Sequence, residues 1–289
     1  MNDKRPFQSV GIIGAGTMGS GIAQVCAQSG YLVRVYDVNP ALLEHARHQI
    51  EQRLQTLVTK DKLTATQRSD ILNRIRWTED LRSMTVDLIV EAVVERLEVK
   101  QHLLTELEAI NEGKVVLTTN TSSIPVTQIA ALLRNPANLA GLHFFNPAPV
   151  MKLVEIISGA ATQPEWVEQL RLFVTSLGKV AVVAKDSPGF IVNRVARPFY
   201  TEAIQLLEEG VADAETIDAL MKAAGFKMGP FELIDLIGVD VNLAVTKSIY
   251  QGFYQQARFR PSRTQQQLVD AGHLGRKTGK GFYGYPEAK

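Results

Sequence analysis

The stretch Ser9-Val-Gly-Ile-Ile-Gly-Ala-Gly-Thr-Met-Gly19 places a short apolar run directly before a glycine-rich turn. The run from Ser9 to Ile13 predicts a buried strand, and the segment from Thr17 to Gln28 has the periodicity of a helix that ends at Gly30. A second strand is predicted from Leu32 to Tyr36. Strand, glycine turn, helix and strand in this order predict the first βαβ unit of a doubly wound α/β sheet.

The glycines of this turn have the spacing G-x-G-x-x-G, and an acidic residue, Asp37, ends the second strand. The spacing alone is weak evidence, but here it stands between a strand and a helix. Such glycines let the backbone approach a pyrophosphate at the helix N-terminus, whose dipole favours an anion. Asp37 would accept the adenosine ribose hydroxyls and repel a 2′-phosphate. The pattern predicts NAD as cofactor. The alternative is a glycine turn in a fold that binds no nucleotide. The residues expected to contact NAD are Gly14, Ala15, Gly16, Thr17, Met18, Gly19 and Asp37.

The composition is that of an ordinary folded protein with room for two domains, since 45% of 289 residues are apolar and 21% are charged. A net charge of +1 argues against a nucleic-acid surface. The single cysteine, Cys26, fits a reducing compartment. With no apolar run of membrane length and a polar start at 1–7, a cytoplasmic protein is expected. His45 and His48 lie one helical turn apart without a third ligand, so no metal site is expected.

Strands and helices alternate to about residue 184, interrupted by two consecutive predicted helices at 40–58 and 64–73. Beyond Asp186 the alternation stops and helical periodicity continues. We therefore predict, in residues 1–186, a Rossmann-like NAD-binding domain with a doubly wound, mostly parallel sheet and a helical hairpin insertion, followed by an all-α domain in residues 187–289. Further strands are expected at 87–91, 115–117, 139–142, 151–157 and 180–184, and further helices at 97–110, 164–177, 190–209, 214–224, from 229, 239–256 and 262–271.

The stretch Gly141-Leu-His-Phe-Phe-Asn-Pro-Ala-Pro-Val-Met-Lys-Leu-Val-Glu155 carries the strongest indication of chemistry. Prolines break the backbone between two apolar runs, and the second run contains a carboxylate, Glu155. A carboxylate in a hydrophobic strand is costly unless it is paired, and His143 across the turn is the nearest candidate. A carboxylate bonded to one imidazole nitrogen fixes the tautomer and raises the basicity of the other. These two residues alone leave open the alternative of a core histidine and an edge-strand glutamate.

Polar residues also follow two other predicted strands, where doubly wound sheets bind ligands. Glu95 and Lys100 come after the strand at 87–91, and the hydroxyl-rich segment 118–123 comes after the strand at 115–117. Ser123 is expected to cap a helix, whereas Ser122 is open to either a capping or a substrate-binding role. Lys60, at the tip of the helical hairpin, suits a phosphate or a long acyl carrier, with a solvated loop as the alternative.

Taken together, these motifs resemble the short-chain L-3-hydroxyacyl-CoA dehydrogenase family, of the bacterial 3-hydroxybutyryl-CoA dehydrogenase type. The resemblance covers nearly the whole chain. It rests on seven blocks in the same order, namely Gly14–Gly19, Glu91–Glu95, Asn120–Ser123, Gly141–Glu155, Asp186–Arg194, Met228–Leu233 and Gly275–Tyr283.

The resemblance implies NAD-dependent oxidation of (S)-3-hydroxyacyl-CoA in fatty acid β-oxidation, with a short chain such as 3-hydroxybutyryl. His143 would be the general base and Glu155 its orienting carboxylate. Ser122 would lie near the substrate oxygen and the nicotinamide, and Asn193 would help to fix the carbonyl region of the substrate. The remaining implied contacts are Glu95, Lys100 and Lys277 to the cofactor and Lys60 to coenzyme A. Arg53 stands where some relatives have a serine that contacts coenzyme A, so the chain departs from the family pattern at this position of the hairpin.

The family also implies a dimer through the helical domain, and the residues independently favour one, because several apolar helices in so short a segment cannot bury every face. Alternatives remain for the substrate. Some similar proteins act on 3-hydroxyadipyl-CoA, for which Arg258, Arg260 and Arg263 would suit a distal carboxylate unless they are ordinary surface arginines. Others act on acyl groups of carrier proteins, and proteins similar to lens crystallin or L-gulonate dehydrogenase have structural or sugar roles.

Overall fold

The computed structural model describes residues 5–286. The first four residues of the polar start, and residues 287–289, lie outside the described part. The chain divides into two compact units between Ser187 and Pro188. Within the described residues, no helix is both long and apolar enough to cross a membrane.

The first unit contains one eight-stranded sheet in the order β3-β2-β1-β4-β5-β6-β7-β8. Strands β1 to β6 are mutually parallel, whereas β7 runs antiparallel to β6 and parallel to β8. The predicted doubly wound, mostly parallel sheet is therefore confirmed. The strands are β1 (Ser9–Ile13), β2 (Leu32–Tyr36), β3 (Ile75–Thr78), β4 (Leu88–Glu91), β5 (Val116–Thr119), β6 (Leu139–Phe144), β7 (Leu153–Ser158) and β8 (Val180–Lys185).

Among the described residues, the α-helices that accompany this sheet are α1 (Thr17–Gln28), α2 (Pro40–Thr59), α3 (Ala65–Asn73), α4 (Leu97–Ile110), α5 (Val126–Ala130) and α6 (Pro164–Ser176). The pair α2 and α3 forms the predicted helical hairpin, with Asn39 and Thr64 as their N-caps. Every residue of β4, β5 and β6 is buried, as expected for central strands that are covered on both faces. Gly30 adopts a left-handed φ of 86° just beyond α1, which confirms it as the end of that helix.

The edge strand β3 was not predicted. Its four residues, Ile-Arg-Trp-Thr, include only one that is fully buried, Ile75, which pairs with Val33 of β2. A strand with one neighbour needs little apolar surface, so its sequence carries little hydrophobic signal.

The second unit consists of the helices α7 (Val192–Glu208), α8 (Ala214–Ala223), α9 (Pro230–Ile237), α10 (Val239–Gly252) and α11 (Arg263–Asp270). Its core includes Tyr200, Ile204, Ile217, Phe231 and Ile234. The expected continuation of α10 to residue 256 is wrong, because Tyr254 and Gln255 have left-handed φ values of 51° and 64°, which a right-handed helix cannot contain.

Two buried aspartates tie the C-terminal segment to this helical unit. Asp218 of α8 accepts the backbone N–H groups of Phe231 and Glu232 at 2.9 and 2.8 Å and the hydroxyl of Tyr283 at 2.8 Å. Asp235 of α9 accepts the backbone N–H groups of residues 282 and 283, both at 3.0 Å. Because a buried carboxylate is stable only with such donors, these bonds fix the segment that carries Lys277.

Candidate active site

His143 and Glu155 lie directly opposite each other in the antiparallel pair of β6 and β7. The Nδ1 atom of His143 is 2.8 Å from Oε2 of Glu155, which confirms the predicted pairing. Glu155 is 0% and His143 5% exposed. A carboxylate only accepts hydrogen bonds, so Nδ1 of His143 carries the proton of this bond. The alternative of an edge-strand glutamate is wrong, because β7 lies between β6 and β8.

Asn120 fixes the end of β6 and was missed as a site residue. Its side-chain oxygen accepts the backbone N–H of Phe144 at 2.8 Å, and its own backbone N–H donates to the carbonyl of Glu91 at 2.7 Å. Asn120 thereby joins the ends of β4 and β6 beside His143. The polar run after β5 was the available signal, but an asparagine in such a run is also typical of an ordinary turn.

The glycine loop after β1 has the shape that a bound pyrophosphate requires. A Cβ atom on Gly14, whose φ is 101°, would lie 2.7 Å from the carbonyl oxygen of Ala92, and one on Gly19 would lie 1.8 Å from that of Gly14. A Cβ on Gly16 would meet nothing within 4 Å. Gly16 is also the N-cap of α1, without a side-chain cap. The open backbone at a helix N-terminus fits a phosphate group.

Asp37 lies at the end of β2, next to this loop. Its Oδ2 accepts the backbone N–H of Ala15 at 2.8 Å, and its Oδ1 accepts that of Asn39 at 2.9 Å. These bonds hold the carboxylate in place, and each oxygen retains acceptor capacity for a ribose hydroxyl. The following residue, Val38, is 79% exposed and offers no cation for a 2′-phosphate. The loop and Asp37 together fit NAD.

Glu95 organises the loop that follows β5. Its Oε1 accepts the hydroxyl of Thr121 at 2.5 Å, the backbone N–H of Ser122 at 3.0 Å, and the backbone N–H and hydroxyl of Ser123 at 3.2 and 3.1 Å. Desolvation raises the pKa of Glu95, but the Lys100 ammonium and these donors outweigh it, so the pKa lies below its usual value. The expectation that Ser123 caps a helix is wrong, because Pro125 occupies the N-cap of α5 and Ser123 binds Glu95 instead.

Lys100 is only 1% exposed, and its ammonium group is surrounded by carboxylates. It donates to both oxygens of Glu91, at 2.8 and 3.0 Å, and lies 3.1 Å from Oε2 of Glu95. Thr119 donates to Glu91 as well, at 2.6 Å. These contacts anchor Glu95 to the sheet. Contact of Lys100 itself with the cofactor stays a prediction.

On the helical hairpin, Lys60 is exposed at the C-cap of α2. Arg53 turns inward, donating to Gln49 at 2.8 Å and, at 3.4 Å each, to Ser20 and Gln24 of α1. Burial lowers the pKa of Arg53. The structure thus places Arg53 between α1 and α2, while contact of Lys60 with coenzyme A stays a prediction.

The other residues expected at the site belong to the helical unit. Asn193 lies in the first turn of α7, and its carbonyl oxygen accepts Nε of the buried Arg197 at 3.2 Å. Lys277 binds both oxygens of Asp240, at 2.6 and 2.7 Å. Their roles at the site stay predictions. Arg258 is exposed and stacks on Phe259, with its guanidinium carbon 4.5 Å from the ring centroid, which is consistent with a surface arginine.

The glycine loop, Asp37, Glu95, Ser122 and His143 lie at one edge of the sheet. Because β1 to β6 are parallel, the segments that follow β1, β2, β4 and β5 and the end of β6 meet at that edge. Among the residues that the structure describes, no three His, Cys, Asp or Glu side chains form a group that could hold a metal ion. The arrangement offers a dinucleotide cradle and a proton acceptor at the same edge.

Comparisons with known proteins agree with this geometry. The model of the 3-hydroxyacyl-CoA dehydrogenase NAD binding domain matches residues 9–187, and that of the 3-hydroxyacyl-CoA dehydrogenase C-terminal domain matches residues 189–285. The chain is 52% identical to 3-hydroxyadipyl-CoA dehydrogenase of Escherichia coli, over 96% of this chain but only 58% of that protein. It is 40% identical to a probable 3-hydroxybutyryl-CoA dehydrogenase of Bacillus subtilis, over 97% of this chain and 98% of that protein.

Solved structures of 3-hydroxybutyryl-CoA dehydrogenases are similar to this chain over nearly its whole length. The (S)-3-hydroxybutyryl-CoA dehydrogenase of Ralstonia eutropha superposes with a TM-score of 0.94 at 38% identity, covering 97% of this chain and all of the other. A 3-hydroxybutyryl-CoA dehydrogenase of Escherichia coli has a TM-score of 0.94 at 51% identity, with 98% of this chain covering 61% of that one. The chain thus spans about three-fifths of the length of its Escherichia coli relatives.

We predict that the protein binds NADH more tightly than NADPH, by about tenfold or more, which corresponds to about 1.4 kcal/mol. The carboxylate of Asp37 would repel a 2′-phosphate, so Asp37→Ser should narrow the difference by weakening NADH binding and relieving the repulsion. Fluorescence titration gives both dissociation constants. Asp70→Ser, on α3, is the matched control and should leave the ratio unchanged. Equal affinities for the two nucleotides in the wild type would contradict the role of Asp37.

Proposed function

Since the chain belongs to the 3-hydroxyacyl-CoA dehydrogenase family, we propose that it oxidises (S)-3-hydroxyacyl-CoA to 3-ketoacyl-CoA with NAD, and catalyses the reverse reaction. We propose a short acyl chain such as 3-hydroxybutyryl. The observation that carries the proposal is the buried His143–Glu155 pair at the sheet edge that also bears the glycine loop. The bound nicotinamide would supply hydride chemistry. The protein then has to place the substrate and move one proton.

His143 is the proton acceptor in this proposal. Its Nδ1–H donates to Glu155, so Nε2 accepts the proton of the 3-hydroxyl group as the alcohol is oxidised. The carboxylate of Glu155 stabilises the imidazolium that results and keeps the ring oriented. In the reverse direction the same imidazolium returns the proton to the 3-oxygen.

Ser122 and Asn193 would place the substrate in this proposal. Ser122, whose backbone is held by Glu95, would donate to the 3-oxygen, and Asn193 would bind the carbonyl region of the thioester. Lys60 would meet a phosphate of coenzyme A. Glu95, Lys100 and Lys277 would support the cofactor. These assignments rest on the match of motifs.

A dicarboxylic substrate, 3-hydroxyadipyl-CoA, is the second candidate, and the 52% identity to an enzyme of that name favours it. Kinetics with a graded panel of 3-ketoacyl-CoA substrates, including 3-ketoadipyl-CoA, separates the two. Highest catalytic efficiency with acetoacetyl-CoA supports the short chain, whereas a preference for 3-ketoadipyl-CoA contradicts it. Acetoacetyl groups on acyl carrier protein test the carrier-protein alternative in the same assay.

We also propose that the protein is a cytoplasmic homodimer acting in β-oxidation, formed through residues 187–289. Several large apolar side chains of the helical unit are exposed in the single chain, among them Val195, Val211 and Leu220, which are 72%, 65% and 63% exposed. Exposed apolar groups of this kind favour association. Cell fractionation that finds the protein in a membrane or secreted fraction would contradict the location.

Replacing His143 with Gln should lower kcat by about 10²- to 10⁴-fold, the usual contribution of a general base. Glu155→Gln should also lower kcat, because an amide no longer stabilises the imidazolium. The double variant should be little slower than His143→Gln alone, since the two residues act as a unit. Steady-state kinetics with acetoacetyl-CoA and NADH measures all three.

His102→Gln, an exposed histidine on α4, serves as the control and should retain wild-type kcat. Melting temperature and NADH affinity are measured alongside, because loss of either partner of a buried pair also lowers stability. Near-normal kcat in folded His143→Gln, with a loss only of melting temperature, would support a purely structural histidine and overturn the proposal.

Light scattering at micromolar concentration is expected to give twice the chain mass of 31.9 kDa. Leu220→Glu and Val211→Glu place charges on the exposed apolar surface of the helical unit and should shift the equilibrium toward the monomer. Glu44→Gln on α2 is the control. A wild-type protein that remains monomeric would refute the dimer.

A further inference from the structure

Lys179 is a buried lysine outside the site described above. It lies just before β8, is 9% exposed, and has no carboxylate among its hydrogen-bond partners. Its ammonium group donates to the carbonyl oxygens of Ala148 at 2.7 Å and Met151 at 2.6 Å. Both carbonyls belong to the β6–β7 turn, residues 145–152, which joins the strand of His143 to the strand of Glu155.

The β6–β7 turn also lies against α1. A Cβ atom on Gly21 would be 3.2 Å from both Cβ of Ala148 and Cδ of Pro149, so only a glycine lets the helix approach this closely without displacement. Ala148 is 2% exposed. The turn therefore contacts both a helix and an ammonium group.

The charge on Lys179 is costly. Burial lowers the pKa of Lys179, and the nearby Cys26 of α1 raises it by a smaller amount. Burial in turn raises the pKa of the Cys26 thiol to about 12. With neutral carbonyls as its partners, the ammonium recovers only part of its hydration free energy. A methionine has a similar length and would fill the same space without desolvation. Stability alone therefore does not account for a lysine here.

The β6–β7 turn is connected to the imidazole directly. Phe145, its first residue, packs on His143 with ring centroids 4.5 Å apart. His143 is the last but one residue of β6, so the turn begins only two residues beyond it, at Phe145. Movement of the turn would move Phe145, the ring of His143 and the strand end together.

We propose that Lys179 is a positioning residue for the His143–Glu155 pair. By binding two carbonyls of the β6–β7 turn, it holds the ends of β6 and β7 in the register that sets the imidazole against the carboxylate. The part of this inference that concerns turnover rests on the proposed function. A displacement of about 1 Å at a reacting group can lower a rate by about 10²-fold.

Lys179→Met removes both bonds and should lower kcat by about 10- to 100-fold while the protein stays folded. Lys179→Gln keeps a donor, but its nitrogen is one atom closer to the backbone and cannot serve both carbonyls, so kcat should fall as well. Thr162→Val is the matched control. It deletes the hydroxyl that donates to the carbonyl of Leu139 at 2.6 Å, at the other end of β6, and should retain wild-type kcat.

A purely structural role is separated by a double-mutant cycle. If Lys179 acts through the pair, Lys179→Met in a Glu155→Gln background should cost less than about threefold in kcat, because that pair is already disrupted. The same fold-loss in both backgrounds would overturn the inference, as would a kcat within about twofold of wild type in folded Lys179→Met. Should Lys179→Met fail to fold, Lys179→Gln is judged by the same criteria.

A second readout does not depend on activity. In protein labelled with ¹⁵N-histidine, the Nδ1–H of His143 should give a low-field proton resonance that is lost in Glu155→Gln. This resonance should shift or broaden in Lys179→Met and stay unchanged in Thr162→Val. An unchanged resonance in Lys179→Met would refute positioning. If the wild type does not reduce 3-ketoacyl-CoA, the proposed function is wrong and this resonance alone decides the inference.

Discussion

The hydrogen bond between His143 and Glu155 is the interaction on which the rest of the site depends, and a reversal of strand direction makes it available. The first six strands are parallel, so their carboxyl ends, including the end of β6, meet at one edge of the sheet. Strand β7 runs the other way, which brings Glu155, near its start, back to that edge opposite His143. A seventh parallel strand would have put its start at the far edge. One antiparallel strand thus supplies a buried carboxylate where the imidazole needs it.

The loops around this pair are held by ion pairs and hydrogen bonds between groups of the protein itself. Lys100 forms ion pairs with both Glu91 and Glu95, and Glu95 also accepts hydrogen bonds from residues 121–123. Each carboxylate accepts several donors, which offsets the cost of removing it from water. Groups held in fixed positions are what hydride transfer and proton transfer both require. At the same sheet edge, the backbone of the glycine loop at the N-terminus of α1 fits a pyrophosphate.

Much of this could be predicted from sequence because the deciding features are local. The glycine spacing, the acid at Asp37 and a carboxylate inside the apolar run at Glu155 each carry a direct physical meaning, and most strands and helices follow from their periodicity. What was missed depends on contacts between distant segments. Strand β3 has too little apolar surface to be recognised, Ser123 binds Glu95 rather than a helix terminus, and Asn120 and Lys179 act through backbone groups in other elements. Backbone partners leave no trace in residue type, so such roles need coordinates.

The most direct test of this account is a crystal structure of the wild-type protein with NAD⁺ and acetoacetyl-CoA, a pair that cannot react with each other. We expect Nε2–H of the protonated His143 to donate to the 3-oxygen over about 3 Å, with Nδ1 still bonded to Glu155 and the pyrophosphate on the glycine loop. A bound complex in which the 3-oxygen lies beyond hydrogen-bonding reach of His143, and contacts another proton donor instead, would contradict it.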